Sequence, residues 1–418
     1  MSLAPMAGLF ATAFIVCSDL AVSATIGRQT LTVAEAPFDA RLISIQADHS
    51  ILLEHDGNTR KVALRDLVVW GSYIDQNRQP QLHLVNGGVL VGDILKVTPS
   101  QVTVYSRIFS EFAIPRSLLK AIVFEPPASP VSRDRFARQI LSNAADHDEA
   151  QFTNGDVLRG AFAALPTAPK TDTLNRIGFQ TRNRPIPFSI PLERLTALVL
   201  RRQESPPPQP AVRQGRPNRV ALGFADGSRF EVDDIEANQQ TIQLAIDQHL
   251  VLSANLKTFN NELTQIQPQN PRLTFLSDLT PASYKHIPFL QRVWPPGIDE
   301  NVLGGRLRTA GTIYAKGIGM HSAARITFRL DHRFRWFRSE LGLDDASENR
   351  GSVVFRVFLQ RDGAWGSAYA SPIVRGRSMP RTMNINVMQA DAIALIVEFA
   401  DRGDERDYAN WLNARLVK

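Results

Sequence analysis

The stretch "YAKGIGMHSAARITFRL" at 314–330 holds the residues closest to a recognisable chemical motif, a G-x-G-x-H cluster. Its spacing suggests four roles: a phosphate-binding glycine loop, a metal-binding histidine, part of a catalytic triad, or a turn that leads into a strand. A Walker-type loop needs Gly-Lys-Ser/Thr before a helix, and a Rossmann fingerprint needs a third Gly that opens one. The residues after Gly319 alternate as a strand does, so neither phosphate loop fits.

The histidine and serine of the cluster are also poorly placed for metal binding or hydrolysis. A zinc site needs further His or Cys ligands at short spacing, but the nearest other histidine is His332 and no cysteine follows. Ser322 directly follows His321, and neighbours on a strand point to opposite faces. We therefore predict that Gly317 and Gly319 shape a turn and that His321 packs or hydrogen-bonds nearby.

The elements that position this cluster belong to a long chain with an ordinary globular composition. Its 418 residues are enough for two to four domains, and 44% of them are apolar, which supports packed cores. The net charge of +6 comes from interspersed residues, without a basic block of five or six. A nucleic-acid surface needs clustered basic residues, so we expect no nucleic-acid partner.

The amino terminus resembles a secretory signal. The apolar run at 4–17 is too short for a membrane span, and "AVSA" at 21–24 resembles a signal-peptidase site. This predicts a signal peptide at 1–24, an exported protein (periplasmic, cell-surface or secreted) and no membrane span after cleavage. The alternatives are a start codon assigned too far upstream and, less well matched, a lipid anchor on Cys17, which is the only cysteine.

Three tight-turn dipeptides mark a repeated unit: Asn86-Gly87, Asn154-Gly155 and Asp226-Gly227. They recur about 70 positions apart, and each lies between runs of alternating apolar and polar residues, which predicts hairpins. The predicted parts of the amino-terminal region are a partial β repeat without the opening hairpin at 25–80, β repeats at 81–128, 150–200 and 219–270, a helical connector at 129–149 and a Pro-rich linker at 201–218. Four or five short strands per unit predict small barrels of the Sm or SH3-like kind.

From residue 273 the pattern changes to longer alternating runs, such as "ARITFRL" at 324–330 and "SVVFRVFLQRDG" at 352–363. Turn signals separate these runs, which predicts a β-sandwich over 273–418. We therefore expect an all-β chain, in which tandem barrel-like repeats precede this sandwich.

Five ordered motifs give the sandwich region a family resemblance. They are "SDL" (277–279), "IYAKGIGMHS" (313–322), "FRSELGLDD" (337–345), "GSVVFRVFLQRDG" (351–363) and "DRGDERDYANWLNARL" (401–416). Together they resemble the NPCBM-type carbohydrate-binding module associated with glycoside hydrolase family 98. The resemblance implies a galactose-binding-like jelly roll, a galactose-type sugar as ligand and, in some relatives, a structural Ca²⁺.

The resemblance also implies which residues could contact a ligand. Lys316, Gly317, Gly319 and His321 match the family's "KG-x-G-x-H". The acidic loop departs from the family pattern, since Tyr408 and Asn410 replace a histidine and an aspartate. Aromatic faces and planar polar groups bind sugars, so the candidate carbohydrate contacts are Trp365, Tyr369, Arg338, Asp344, Asp345, His321, Tyr408, Asn410 and Trp411. The candidate Ca²⁺ ligands are Asp401, Asp404 and Asp407.

These observations predict a non-catalytic, exported carbohydrate-binding protein that needs no cofactor and binds a polysaccharide or glycoconjugate. One alternative is a protein–protein adaptor or structural envelope protein whose module has lost sugar binding. Another is an accessory part of a glycoside hydrolase, although such an enzyme needs two carboxylates across a cleft, commonly on a large barrel, and the repeats show no βα alternation. RNA binding by Sm-like barrels would need aromatic and basic residues interleaved on the strands, which the repeats lack.

Overall fold

The computed structural model describes residues 28–163, 176–201, 219–288 and 292–418. Within these ranges, 36 strands are interrupted by two α-helices and a few single helical turns, so the predicted all-β fold is confirmed. The predicted signal peptide at 1–24 and residues 202–218 of the predicted linker lie outside the described residues. Neither helix of the described ranges is long and apolar enough to cross a bilayer.

The first two repeats are built from short antiparallel strands. The first repeat comprises β1 (Arg28–Thr32), β2 (Phe38–Ile45), β3 (Ser50–His55), β4 (Asn58–Ala63) and β5 (Leu67–Gly71). The second comprises β6 (Gln81–Leu84), β7 (Val89–Val91), β8 (Asp93–Val97), β9 (Gln101–Ser106), β10 (Ser110–Pro115) and β11 (Leu119–Val123). Helix α1 (Pro130–Ser142) follows the second repeat.

The third and fourth repeats use the same elements. The third comprises β12 (Asp148–Phe152), β13 (Val157–Ala163), β14 (Arg176–Thr181), β15 (Arg184–Pro191) and β16 (Leu195–Val199). The fourth comprises β17 (Val220–Phe224), β18 (Arg229–Val232), β19 (Asp234–Ala237), β20 (Thr241–Asp247), β21 (Leu250–Asn255), α2 (Leu256–Glu262) and β22 (Leu263–Pro268). In each repeat the last strand returns to pair with the first.

The three dipeptide turns form hairpins as predicted. Gly87, Gly155 and Gly227 have φ values of 89°, 89° and 92°. Only glycine adopts this left-handed conformation without a steric cost, which explains why each turn carries it.

The prediction that the first repeat lacks an opening hairpin is wrong. Strands β1 and β2 pair there, with Arg28 opposite Ala40 and Thr30 opposite Phe38. Residues 33–37 connect the two strands, and the Thr32 hydroxyl accepts a hydrogen bond from the Glu35 N–H at 3.1 Å. This longer connection needs no Asn-Gly pair, so the hairpin leaves no dipeptide signal in the sequence.

The four repeats join edge to edge in one 16-stranded sheet, in the spatial order third, second, fourth, first. The last strands pair across two of the boundaries, β16 with β11 and β22 with β5, while β7 pairs with β18 at the central one. One buried apolar cluster runs through all four repeats. The specific likeness of each repeat to an Sm or SH3-like barrel stays a prediction.

The carboxy-terminal region forms a β-sandwich, as predicted. Its first strands are β23 (Leu273–Phe275), β24 (Ser283–His286), β25 (Gly297–Ile298), β26 (Leu307–Thr309), β27 (Thr312–Tyr314), β28 (Gly317–Met320) and β29 (Ala324–Arg329). The remaining strands are β30 (Trp336–Leu343), β31 (Ser352–Arg361), β32 (Ala364–Ala370), β33 (Val374–Arg375), β34 (Arg381–Asn386), β35 (Ala392–Phe399) and β36 (Ala409–Val417). One sheet has the order β25-β28-β36-β30-β34, and the other has the order β24-β29-β35-β31-β32.

A network of arginines and aspartates joins the sandwich to the repeats. Asp75, which lies between the first two repeats, accepts hydrogen bonds at 2.9 Å from both Arg133 of α1 and Arg308 of β26. Asp134 of α1 is 3% exposed at its side chain, pairs with Arg308 and accepts the Arg306 backbone N–H at 3.0 Å. Buried charges are tolerated when they are paired and hydrogen-bonded, and the charged groups of this network have both kinds of partner. We call it the ionic joint.

Candidate functional site

The two glycines of the G-x-G-x-H cluster lie inside strand β28, so the predicted turn is wrong. A Cβ on Gly319 would come within 2.5 Å of the Glu300 carbonyl oxygen, and a Cβ on Gly317 within 2.5 Å of the Trp411 carbonyl oxygen. Glycine is required because neighbouring backbone packs directly on both positions. Strand β29 rather than a helix follows this segment. This agrees with the sequence argument against a phosphate-binding loop, which would lead into a helix.

His321 emerges from β28 into a cluster of rings, which we call the aromatic cluster: Trp294, His321, His286 and Tyr408. The His321 imidazole is buried and stacks on the Trp294 indole, with ring centroids 4.9 Å apart and planes 3° from parallel. His286, at the end of β24, approaches His321 edge-on at 5.8 Å. Tyr408 lies 6.0 Å from Trp294 and 5.9 Å from His321.

The segment that carries Trp294 is held in place by its neighbours. The Tyr284 hydroxyl of β24 donates to the Trp294 carbonyl oxygen at 2.6 Å, and the Trp294 N–H donates to His286 Nδ1 at 3.3 Å. The Arg292 guanidinium lies over the indole, 3.9 Å from its centroid, which is a favourable cation–π distance. Trp294 is therefore positioned by hydrogen bonds at its backbone and by ring contacts at its side chain.

The pKa values of both imidazoles of the cluster lie below the ordinary value of histidine, which favours the neutral form. Burial is the main cause at His321, and it outweighs the opposing effects of a hydrogen bond with the Ser322 backbone and of Asp404. Burial also lowers the pKa of His286. Neutral imidazoles offer one donor and one acceptor each, which suits hydrogen bonding to uncharged hydroxyl groups.

The acid and hydroxyl beside this cluster are not arranged for nucleophilic catalysis. Ser322 Oγ is 3.5 Å from His321 Nδ1, at the limit of hydrogen bonding. Asp407 lies beside Ser322, and Oδ1 of Asp407 accepts the Ser352 N–H at 2.8 Å. Burial raises the pKa of Asp407 to about 6. In a hydrolase triad the acid orients the histidine, whereas here it lies against the serine.

Three predicted contact residues are interior residues instead. Asn410 is fully buried and donates at 3.0 Å to Asp344, whose pKa is raised by burial. Trp411 is also fully buried, with its ring packed edge-on against Phe355 at 5.0 Å. Because β36 runs through the centre of its sheet, its side chains cover the core, and the prediction that Asn410 and Trp411 contact a ligand is wrong.

Two other predicted contacts have structural partners. Arg338 donates from its guanidinium to the Val33 carbonyl oxygen at 2.6 Å, so it holds the first repeat against the sandwich. Asp345 is partly exposed and accepts the Gly311 N–H at 3.0 Å. The role of Arg338 as a ligand contact is therefore not supported, because its donor group faces the repeats.

Trp365 and Tyr369 lie far from the aromatic cluster. Both are on β32, at one edge of the second sheet, whereas His286 is on β24 at the opposite edge with three strands between them. Trp365 is 46% exposed, and Tyr369 packs partly against the core. They lie on a separate strand at the sheet edge, and of the predicted contacts only His321 and Tyr408 belong to the aromatic cluster.

The three predicted calcium ligands do not converge. Asp401 receives two hydrogen bonds from Arg375, at 2.9 and 2.6 Å, and Asp407 is buried beneath Ser352. In the described part of the chain, no group of three or more His, Cys, Asp or Glu side chains is arranged to hold a metal ion. Calcium binding at Asp401, Asp404 and Asp407 stays a prediction without a coordinating geometry.

The sequence interpretation counted Trp294 among the aromatic residues of the module without selecting it as a contact, and it missed His286 and Arg292. The signal available for Trp294 was its position before Pro295-Pro296, where an aromatic residue in a rigid extended loop has few core partners. His286 and Arg292 left no comparable signal, because β24 and this loop meet only in the folded domain.

Comparisons with known proteins give two curated relatives with modest identity to this chain. A protein named for endo-alpha-N-acetylgalactosaminidase activity from Renibacterium salmoninarum is 27% identical over 27% of this chain and 7% of its own length. Alpha-1,3-galactosidase B of Akkermansia muciniphila is 28% identical over 28% of this chain and 14% of its own length. The matched segment is therefore a small part of each of these relatives.

Solved structures similar to parts of this chain include CBM51 modules. One, from Clostridium perfringens GH95 in complex with methyl-galactose, is 20% identical over 35% of this chain and 99% of that chain, with a TM-score of 0.31. Another, the tandem CBM51 modules of a family 98 glycoside hydrolase from Streptococcus pneumoniae, is 11% identical over 82% of this chain and 89% of that chain, with a TM-score of 0.30. The family model described as the NPCBM/NEW2 domain matches residues 272–417. This carboxy-terminal region is an NPCBM/NEW2 domain.

Proposed function

We propose that this chain is a non-catalytic, exported carbohydrate-binding protein that binds a galactose-type sugar at the aromatic cluster of its NPCBM domain. The single observation that carries the proposal is the stack of Trp294 on His321, with Tyr408 and His286 at its edges. Rings supply the apolar surface that a pyranose needs, and their polar edges supply hydrogen bonds.

The polar groups of the cluster support an uncharged ligand. Among the described residues, no hydrogen bond engages the Tyr408 hydroxyl, so this group is available to a sugar hydroxyl. The lowered pKa values of His286 and His321 favour the neutral form of both rings. The names of the two curated relatives, which refer to galactose-type substrates, agree with this ligand class.

The test is calorimetric titration of the full chain with lactose. Truncating Trp294 (Trp294→Ala) should weaken binding by roughly tenfold or more, because a central ring contact is worth about 1–3 kcal/mol. Replacing Tyr408 (Tyr408→Phe) removes one hydroxyl, so we expect a loss of roughly two- to tenfold.

The matched control is Trp365→Ala, which removes an exposed tryptophan from the opposite edge of the second sheet. This control should bind lactose as the parent chain does. If Trp365→Ala abolishes binding and Trp294→Ala does not, the binding site lies on β32 and the proposed site is rejected.

A second candidate function is an adaptor or structural protein whose module no longer binds sugar. The specific observation in its favour is that two side chains of the protein, His321 and Arg292, already pack against the Trp294 indole. Absence of binding to lactose and to other galactose-containing glycans would favour this candidate.

A further inference from the structure

A groove with a volume of about 810 Å³ lies between helix α1 and the loop that carries Trp294. Small-molecule sites in proteins fall in the range of about 300–1,000 Å³ and often lie at domain interfaces. One wall of this groove comes from the amino-terminal region and the other from the NPCBM domain, which the ionic joint holds together. The groove is therefore built by both regions of the chain.

The groove has exposed apolar surface on both walls. Val131 of α1 is 48% exposed, and Val293 and Leu303 of the opposite wall are 63% and 41% exposed. Trp294 and the two prolines after it also line the groove. The groove and the aromatic cluster therefore share Trp294, so a ligand bound at the cluster can continue into the groove.

Most charged groups along the groove already have partners. Arg308 pairs with Asp134, and Arg138 pairs with Glu300 at 2.8 Å. Asp344 is buried under hydrogen bonds from Asn301 and Asn410, and Asp345 accepts the Gly311 N–H.

Two arginines remain without an acidic partner among the described residues: Arg135 on α1 and Arg292 on the opposite wall. Both are exposed and line the groove, and the Arg292 guanidinium lies over the Trp294 ring. A guanidinium donates in a planar fork that matches a carboxylate or a sulfate. Each wall of the groove thus carries one arginine without an acidic partner in the described part of the chain. The partly exposed Asp345 also lines the groove, and its partner is a backbone N–H rather than a basic side chain.

We propose that this groove binds the anionic end of an acidic oligosaccharide, with the carboxylate or sulfate held by Arg135 and Arg292. The inference rests on the proposed function, because the neutral part of the same ligand occupies the aromatic cluster. Helix α1 then contributes directly to recognition, and the ligand of the full chain is longer and more acidic than one galactose unit.

The experiment compares three probes on the full chain: lactose, sialyllactose and sulfated lactose. We expect the two acidic probes to bind roughly tenfold more tightly than lactose, since each gains a charge-assisted contact. The better of the two identifies the anionic group as a carboxylate or a sulfate. Arg135→Gln and Arg292→Gln should each reduce this difference, and the double variant should abolish it.

The matched control is Arg325→Gln, which removes an exposed arginine from β29, outside the groove. It should keep the preference for acidic probes. Equal affinities for lactose and both acidic probes would overturn the groove inference and leave the proposed function intact. Failure of all three probes would overturn both. Melting temperatures of the variants separate lost contacts from lost folding.

Discussion

Two side chains pack against the Trp294 indole, and this determines how a sugar can reach it. His321 stacks on the ring and is itself buried, whereas the Arg292 guanidinium lies over the ring and is exposed. A sugar therefore either contacts the indole edge beside Tyr408 or displaces the Arg292 guanidinium. Displacement would leave the Arg292 guanidinium beside the bound sugar, where it could pair with an acidic group of the ligand.

Asp407 gives the domain a pH dependence at the scale of one residue. Burial raises its pKa to about 6, so the folded protein holds the proton more tightly than the unfolded chain does. The free energy of unfolding therefore falls as the pH rises from about 4 to 6, by about 3 kcal/mol at most. Asp407→Asn should therefore be more stable relative to the parent at pH 7 than at pH 4.

Denaturant titrations of both proteins at the two pH values measure this difference. Carboxylates with lowered pKa values, such as Asp75, change the stability of the parent and the variant equally and cancel in the comparison. A stability difference that is the same at pH 4 and pH 7 would show that folding does not raise the pKa of Asp407.

Among the elements, the bent strand β13 depends on one glycine. A Cβ on Gly160 would come within 2.0 Å of the Gln180 carbonyl oxygen, which is backbone and cannot swing away. Gly160→Ala should therefore lower the free energy of unfolding by about 1–3 kcal/mol or more. A denaturation curve checks the change.

The control is Gly366→Ala on β32, where an added Cβ meets no atom within 4 Å. Its stability should match that of the parent within about 0.5 kcal/mol. Equal effects of the two substitutions would contradict the argument that backbone contact requires glycine at Gly160.

Most elements could be predicted from the sequence because local patterns determine them. Alternation predicts the strands, and Asn-Gly or Asp-Gly predicts three hairpins, which the positive φ values confirm. The hairpin at residues 33–37 was missed because its five-residue connection uses no such pair. The glycines at 317 and 319 were assigned to a turn because sequence cannot distinguish a turn from a strand with backbone packed on it.

The candidate site was predicted less completely, since it is assembled from distant segments. His321 and Tyr408 follow from the family resemblance, but Trp294 lies on a loop whose position depends on β24. Asn410 and Trp411 match the motif of the family and yet face the core, because β36 is central in its sheet. A match to the family motif therefore does not distinguish residues that contact a ligand from residues that pack in the core.

At the scale of the whole molecule, the ionic joint should control how the two regions hold together. Asp134→Ala removes the most buried carboxylate of the joint and leaves Arg306 and Arg308 to share Asp75. Breaking a buried pair costs about 3–5 kcal/mol, so we expect earlier unfolding and faster protease cleavage between the regions. Calorimetry and limited proteolysis of the full chain measure both effects.

The control for this prediction is Glu405→Ala, which breaks an exposed ion pair with Arg350. Exposed pairs contribute about 0–1 kcal/mol, so this variant should behave as the parent does. If Asp134→Ala melts and is cleaved as the parent is, other contacts, such as that of Arg338 with Val33, hold the regions together.

The order of the repeats in the large sheet differs from their order along the chain, and this affects how the protein matures. Strand β5 of the first repeat pairs with β22 of the fourth, roughly 190 residues later, which a ribosome takes about 10–40 s to add. During that interval β5 presents an unsatisfied edge to any other nascent chain. We therefore expect holdase chaperones to engage the growing polypeptide until the fourth repeat leaves the exit tunnel.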